Sequence, residues 1–297
     1  SKNFMVVVEL HAKHGIGQNF LYGSRKLDHV FFSHPVSRVR LEEPFDASKQ
    51  AIGQEESLFS LTFWSRMNLG SIFFRGIRMF QTAELGQKVS REDFDRISQE
   101  LRTDLLTLQN ELRNCDFPVI LVFAGVDGGG KGETVNLLNE WMDPRWIVTR
   151  AYGMPSDEEH ERPFYWRYRR DLPPKGQVGL FLSSWYSNPI NCYLQKEIGK
   201  AEFETQLDRI LAFEKTLADD GALIIKFWLH LSKDAQKRRL KSLEKDELQS
   251  WRVSKQDWKN WKSYDRFVAA AEHAISKTST GHAPWEIVEG EDSRFRS

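Results

Sequence analysis

Cysteine is scarce in this 297-residue chain, and the two present, Cys115 and Cys192, lie far apart. One disulfide at most can form, so no cross-linked framework holds the fold, and two idle thiols are the simpler expectation. Net charge is missing too, because 42 basic residues balance 42 acidic ones. That balance removes the electrostatic footprint of a general nucleic-acid binder. The chain has no apolar run of the ~18 residues that a membrane span needs. Its first residues also lack the charged start and apolar core of a secretory leader. A cytoplasmic protein without a membrane or nucleic-acid partner is therefore expected.

A local absence marks residues 57–83, which contain no acidic side chain but hold Phe59, Phe63, Trp64, Phe73, Phe74 and Phe80. Aromatics interleaved with arginines can lie on a membrane surface, yet Gly70 and Gly76 break the helical period here. His11 and His14, three apart, can share one helix face as metal ligands. No third ligand accompanies them, and solvated histidines are the simpler reading. Residues 1–78 as a whole lack a sustained period. They read as a weakly ordered extension, or as an over-long start ahead of Met79.

Beyond Met79 the chain becomes patterned. Ser90 stands as a helix cap with Asp93 three residues on, and Phe94, Ile97, Leu101, Leu105, Leu108 and Leu112 recur at helical spacing. The apolar run 117–124 suits a strand buried on both faces. Residues 133–142 read as a helix, and further strands are expected at 146–150, 178–182, 223–231 and 286–289. Phe203, Leu207, Ile210, Leu211 and Leu217 mark an amphipathic helix closed by Gly221. Strands alternating with helices predict an α/β fold: a parallel sheet covered by helices on both faces.

The turn between the first strand and its helix, residues 125–132, reads Gly-Val-Asp-Gly-Gly-Gly-Lys-Gly and fits G-x-x-x-x-G-K. Gly125, Gly128, Gly129, Gly130 and Gly132 let the backbone curl so that N–H groups point at phosphate oxygens. Lys131 adds a mobile positive charge, and Glu133 falls in the first turn of a helix whose N-terminus favours anions. A plain glycine turn without ligand is the duller alternative. Gly132 lacks the hydroxyl that usually binds Mg²⁺ at this position, leaving Asp127 as the nearest carboxylate. A carboxylate among phosphates must bind metal or accept a proton. That favours a kinase whose acceptor is itself a phosphate over a nucleotide-hydrolysing switch, and over an ordinary ATP-dependent monophosphate kinase.

This loop, Ser184-Trp185-Tyr186 after a strand, Lys226-Phe-Trp-Leu-His230 and Ala283-Pro-Trp285 together resemble the polyphosphate kinase 2 family. Glu133-Thr-Val-Asn-Leu-Leu-Asn-Glu-Trp-Met-Asp-Pro-Arg145 is similar to the first of two tandem domains in polyphosphate:AMP phosphotransferases. The resemblance runs from about Met79 to the end of the sequence and leaves residues 1–78 unmatched. It implies a P-loop kinase-like fold with a helical lid at about 232–262. It also implies Mg²⁺-dependent phosphoryl transfer between inorganic polyphosphate and a nucleotide, AMP to ADP in the nearest relatives; an oligomer is compatible with it. By position, Asp127 and Lys131 take the catalytic places, with Asp127 also the Mg²⁺ ligand, and Arg238 and Arg239 open the lid. Arginine suits this role because it binds phosphate oxygens in bidentate, charge-assisted pairs. Arg162, Arg167, Arg169 and Arg170 form a second basic cluster, from which Arg162 and Arg167 are expected on phosphate.

Departures from the family pattern accompany the match. Where the family carries Asp-Arg before Ser-Trp-Tyr, this chain has Leu182 and Ser183, and the lid holds Leu243 and Gln249 in place of Arg and Lys. The resemblance assigns Mg²⁺ binding and charge stabilisation to the missing pair. A phosphotransferase is thus expected, with a polyphosphate-binding first-half domain beside an active second domain as the alternative. The sequence closes just after the last expected strand, where a linker to such a domain is expected. Trp251, Trp258 and Trp261 stand at helical spacing and are expected in packing rather than against a base.

Overall fold

The computed structural model describes residues 79–297. The expectations for His11, His14 and the rest of residues 1–78 lie outside the described residues. A 3₁₀ turn at Met79–Ala83 opens this part, and Phe80 is buried, stacked on His230 at 4.4 Å and Trp228 at 5.6 Å. Phe80 thus belongs to the core rather than to a membrane-facing strip.

Ser90 accepts from the Asp93 N–H at 3.0 Å and starts helix α1, Arg91–Leu112, as its spacing requires. The chain then enters β1, Val119–Gly125, and after the loop continues as α2, Lys131–Trp141. Asp143 caps a short 3₁₀ turn, Pro144–Trp146, that takes the place of the expected start of β2, which spans Ile147–Ala151. Short helices α3, Asp157–His160, and α4, Trp166–Arg170, lead to β3, Val178–Leu182. Then come α5, Ser187–Gln195, α6, Lys200–Asp219, and β4, Leu223–His230. The lid is built from α7, Lys233–Lys245, a 3₁₀ turn at Ser250–Arg252, and α8, Lys255–Lys262. Helix α9, Tyr264–Thr278, strand β5, Trp285–Glu289, and α10, Ser293–Arg296, complete the order.

All five strands are parallel, in the order β2-β3-β1-β4-β5. Burial on both faces explains the apolar runs of β1, β3 and β4. Ile120, Val122 and Ala124 of β1 join one core cluster with Phe203, Leu207 and Ile210 of α6 and Ala271 of α9. Val119, Leu121 and Phe123 join the other, with Leu112 of α1 and Val135 and Leu138 of α2. On α6 the buried face differs in one place from its expected stripe: Leu211 is only partly buried, while Phe213 and the carboxylate of Glu214 turn inward.

Parallel pairing puts the C-terminal ends of all strands on one edge of the sheet, where ligands bind in such folds. Gly125 lies beside Leu229 in the β1–β4 register, and a Cβ on Gly125 would strike the Leu229 carbonyl. Only glycine lets β1 turn out there. Cys115 and Cys192 are both free.

Candidate active site: a glycine loop beneath a helical lid

Val126–Gly130 connects strand to helix through a tight curl. Gly128 and Gly130 take φ of +78° and +96°, which side-chain-bearing residues rarely adopt. The Gly129 N–H closes the turn on the Val126 carbonyl at 3.1 Å, and the Val126 N–H bonds to the Leu229 carbonyl at 3.1 Å. Gly130 is the N-cap of α2 and provides no side chain to cap it. The open N–H groups and dipole of that helix start are free to meet an anion.

Lys131 bends back over this curl. Its Nζ donates to the carbonyls of Gly125, at 2.9 Å, and Val126, at 2.8 Å. Burial pulls its pKa below the ordinary lysine value, while Asp127 and Asp257 of α8 oppose that shift. The ammonium is therefore partly desolvated and loosely held by neutral carbonyls.

The lid makes its contacts with the same loop. Gln236 of α7 donates to the Asp127 carbonyl at 3.0 Å, and Asn260 of α8 donates to the Asp127 carboxylate at 2.8 Å. Arg239 forms an ion pair with Glu133, and Arg252 reaches the same carboxylate at 3.4 Å. Arg238 instead pairs with Glu291, past β5, at 2.6 Å. Arg296 of α10 also pairs with Glu133, donates to the Gly290 carbonyl at 2.8 Å, and lies against Gly130 so closely that a Cβ there would collide with its Nε.

The structure thus brings together Asp127, Lys131, the loop glycines, Glu133 and Arg239, with Arg238 on the same helix. The side chain of Glu133, a residue expected on phosphate, is engaged by arginines in this structure. A carboxylate can only accept hydrogen bonds, and this one collects three guanidiniums. Arg162 and Arg167 fall elsewhere. Arg167 is buried between Glu159, at 3.4 Å, and the ring of Tyr152, while Arg162 lies over Trp166. Among the described residues no hydrogen bond or ion pair joins either to the loop.

Arg252 and Arg296 escaped the sequence pattern, since no periodicity links them to residues more than a hundred positions away. The only hint was a pair of arginines in the turn after the last strand of the sheet. Leu243 is buried on the inner side of α7, and Gln249 bonds to Asp246 at 2.6 Å. Trp251 contradicts its expected packing role, standing 81% exposed. Trp258 and Trp261 are partly buried against each other, with ring centroids 5.9 Å apart.

The other sequence motifs lie below the loop and form one sealed network. Ser183, at φ +50°, turns the chain inward after β3. Trp185 and Tyr186 then donate to one oxygen of Glu214, at 3.0 and 2.7 Å. Lys226 donates to the second oxygen at 2.6 Å, to the Tyr186 hydroxyl and to the Thr278 carbonyl. Trp285 packs edge-on against Tyr186. The three motifs meet in one buried joint between β3, α6, β4 and β5.

Comparison with known proteins agrees with this arrangement. The family model described as Polyphosphate kinase 2 (PPK2) matches residues 88–297. The chain belongs to the polyphosphate kinase 2 family. Among curated relatives, the polyphosphate:AMP phosphotransferase of Pseudomonas aeruginosa is 47% identical over 220 residues, covering 74% of this chain and 44% of that protein. The AMP/ADP-polyphosphate phosphotransferase of Meiothermus ruber is 30% identical over 179 residues, covering 60% of this chain and 67% of its own length. The crystal structure of polyphosphate kinase 2 from Arthrobacter aurescens superposes with a TM-score of 0.67 at 28% identity, covering 71% of this chain and 76% of that one. Relative to the Pseudomonas protein the chain spans under half the length. Within this family frame the loop, lid and buried joint form one continuous unit. No helix among the described residues is long and apolar enough to cross a membrane.

Proposed function

We propose that the chain transfers the terminal phosphoryl group of inorganic polyphosphate to a nucleotide, AMP to ADP, as a polyphosphate:nucleotide phosphotransferase of the cytoplasm. The observation that carries this reading is a lysine resting on two loop carbonyls beneath a lid whose cations converge on the same loop. The names of the Pseudomonas and Meiothermus relatives both include AMP, which supports that acceptor.

In the reaction an oxygen of the AMP phosphate bonds to the terminal phosphorus as the anhydride bond to that phosphorus breaks. The bond's electron pair stays on the shortened polyphosphate. Such transfers need positioning and charge stabilisation more than covalent help from the protein. Lys131 exchanges its carbonyl partners for oxygens of the moving group. The N–H groups at the start of α2 hold a neighbouring phosphate, and Arg238 and Arg239 draw the polyanion under the lid.

Among the described residues no group of three or more His, Cys, Asp or Glu is placed to hold a metal. Mg²⁺ suits this site in another way, because it keeps several waters and binds through one or two carboxylates plus substrate phosphates. Asp127, already facing the lid, is the carboxylate that would hold it. When bound, it would neutralise charge on the phosphate oxygens.

The test is direct. Purified chain with AMP, polyphosphate and Mg²⁺ should form ADP. Failure to make ADP, with polyphosphate still retained in a salt-sensitive manner, would leave a binding module and remove the enzymatic reading.

A further inference from the structure

Three guanidiniums share the single carboxylate of Glu133 at the mouth of the loop. Arg296 is the most enclosed, its side chain 4% exposed, whereas those of Arg239 and Arg252 are 33% and 35% exposed. The other acidic group beside Arg296 is Asp292, which is committed to capping α10 through the N–H groups of Arg294 and Phe295. Positive charge therefore exceeds negative charge around Glu133.

The hydrogen bonds point the same way. Nε of Arg296 and Nε of Arg239 are both buried, and neither has an acceptor. A buried donor left unpaired is costly, so these two N–H groups call for an acceptor. Each lies at the loop backbone. Arg239 packs its Cγ over Gly128, where a Cβ would stand 3.3 Å away, and Arg296 sets its Nε against Gly130, at the uncapped start of α2. Two buried, unpaired guanidinium N–H groups thus belong to side chains that pack on the loop backbone, one of them at the uncapped start of α2. Phosphate oxygens supply several strong acceptors together with negative charge.

We propose that Arg296 and Arg239 form a phosphate seat at the loop mouth, with Glu133 as the positioning residue that keeps both guanidiniums aligned. The inference rests on the phosphotransferase reading for its ligand class, and it adds a binding residue from the far end of the fold. The group seated there is a phosphate of either polyphosphate or the nucleotide.

Calorimetric titration of the full chain with inorganic tripolyphosphate, and separately with AMP, tests the seat without requiring turnover. Arg296→Gln should weaken binding of one of these ligands about tenfold or more, as expected for losing a charge-assisted bond. Arg296→Lys keeps the charge and its fit in the fold but lacks the forked N–H groups, so it should recover only part of that loss. Weakened tripolyphosphate with unchanged AMP assigns the seat to polyphosphate, and the reverse assigns it to the nucleotide. Wild-type affinities for both ligands in Arg296→Lys and Arg239→Gln would overturn the seat and leave the phosphotransferase reading standing. A tripolyphosphate site sensitive to Arg296 in a chain that makes no ADP would keep the seat and remove that reading.

Discussion

Two carboxylates in this protein each gather several cationic or hydrogen-bond-donating side chains, and the two gatherings differ in saturation. Both oxygens of Glu214 are filled: Trp185, Tyr186 and Lys226 donate to them, Lys226 and Glu214 are fully enclosed, and Thr278 takes a remaining ammonium hydrogen. Burial still pulls the Lys226 pKa down against the attraction of Glu214, and pushes the Tyr186 hydroxyl well above its ordinary value. Around Glu133 the arginines outnumber the carboxylate, the group is partly open to solvent, and two buried Nε atoms lack partners. A saturated cluster can only hold the fold together. An unsaturated one has capacity left for a ligand.

That contrast can be broken most severely at Glu214. Glu214→Ala strands the Lys226 charge in the core and should cost about 3–5 kcal/mol of stability in urea unfolding. Combining Lys226→Met with Glu214→Leu should cost less than either change alone. A double variant as unstable as the sum of the singles would show that shape, not charge pairing, governs the joint. The loop should behave in the opposite way. Lys131→Ala is expected to lower kcat/KM for ADP formation by about 10²–10³-fold, with an unfolding midpoint close to wild type. A collapse of the midpoint would assign Lys131 to the scaffold.

A third and smaller test uses His230, enclosed at the end of β4 with its Nδ1 unpaired. Its Nε2 meets Glu84 at 2.9 Å and the Tyr264 hydroxyl at 3.3 Å, and Glu272 and Glu289 also face it. Burial holds its pKa below the ordinary 6.5 despite those carboxylates. The unfolded chain therefore binds a proton that the folded chain refuses, so stability is constant above pH 6.5 and falls as pH drops below it. His230→Gln should flatten the part of the urea-midpoint decline below about pH 6.5 that this ring causes. An unchanged slope would locate the acid sensitivity elsewhere.

Much of the scaffold was legible because buried parallel strands must be apolar throughout. The runs at 178–182 and 223–231 fall on β3 and β4 with at most one residue of difference. β2 starts later than its apolar run because Pro144 and the Asp143 cap favour a 3₁₀ turn there. At the site, the tight strand-to-helix turn that carries Asp127 and Lys131 was legible, since glycines at positive φ fix its backbone shape. The ion pairs of Glu133 were not legible because their partners, Arg239, Arg252 and Arg296, come from distant segments. A charge count along the chain likewise cannot register that Glu159 and Tyr152 enclose Arg167. Trp251 shows the limit of spacing alone, because the 3₁₀ turn at Ser250–Arg252 takes it off the helical stripe shared by Trp258 and Trp261.

The close approach of Gly290 to the loop has a practical consequence. A Cβ on Gly290 would stand 2.7 Å from the Gly129 carbonyl oxygen and 2.9 Å from that of His230, and Gly125 is pressed against Leu229 on the same edge. The loop is thus cast between two strand ends and has little room to be remodelled. Attempts to redesign which phosphate compound this protein accepts should leave residues 125–132 as they are. The adjustable side is the lid, where Arg238 on the exposed face of α7, and Gln249 and Trp251 in the turns after it, can be replaced without disturbing the sheet.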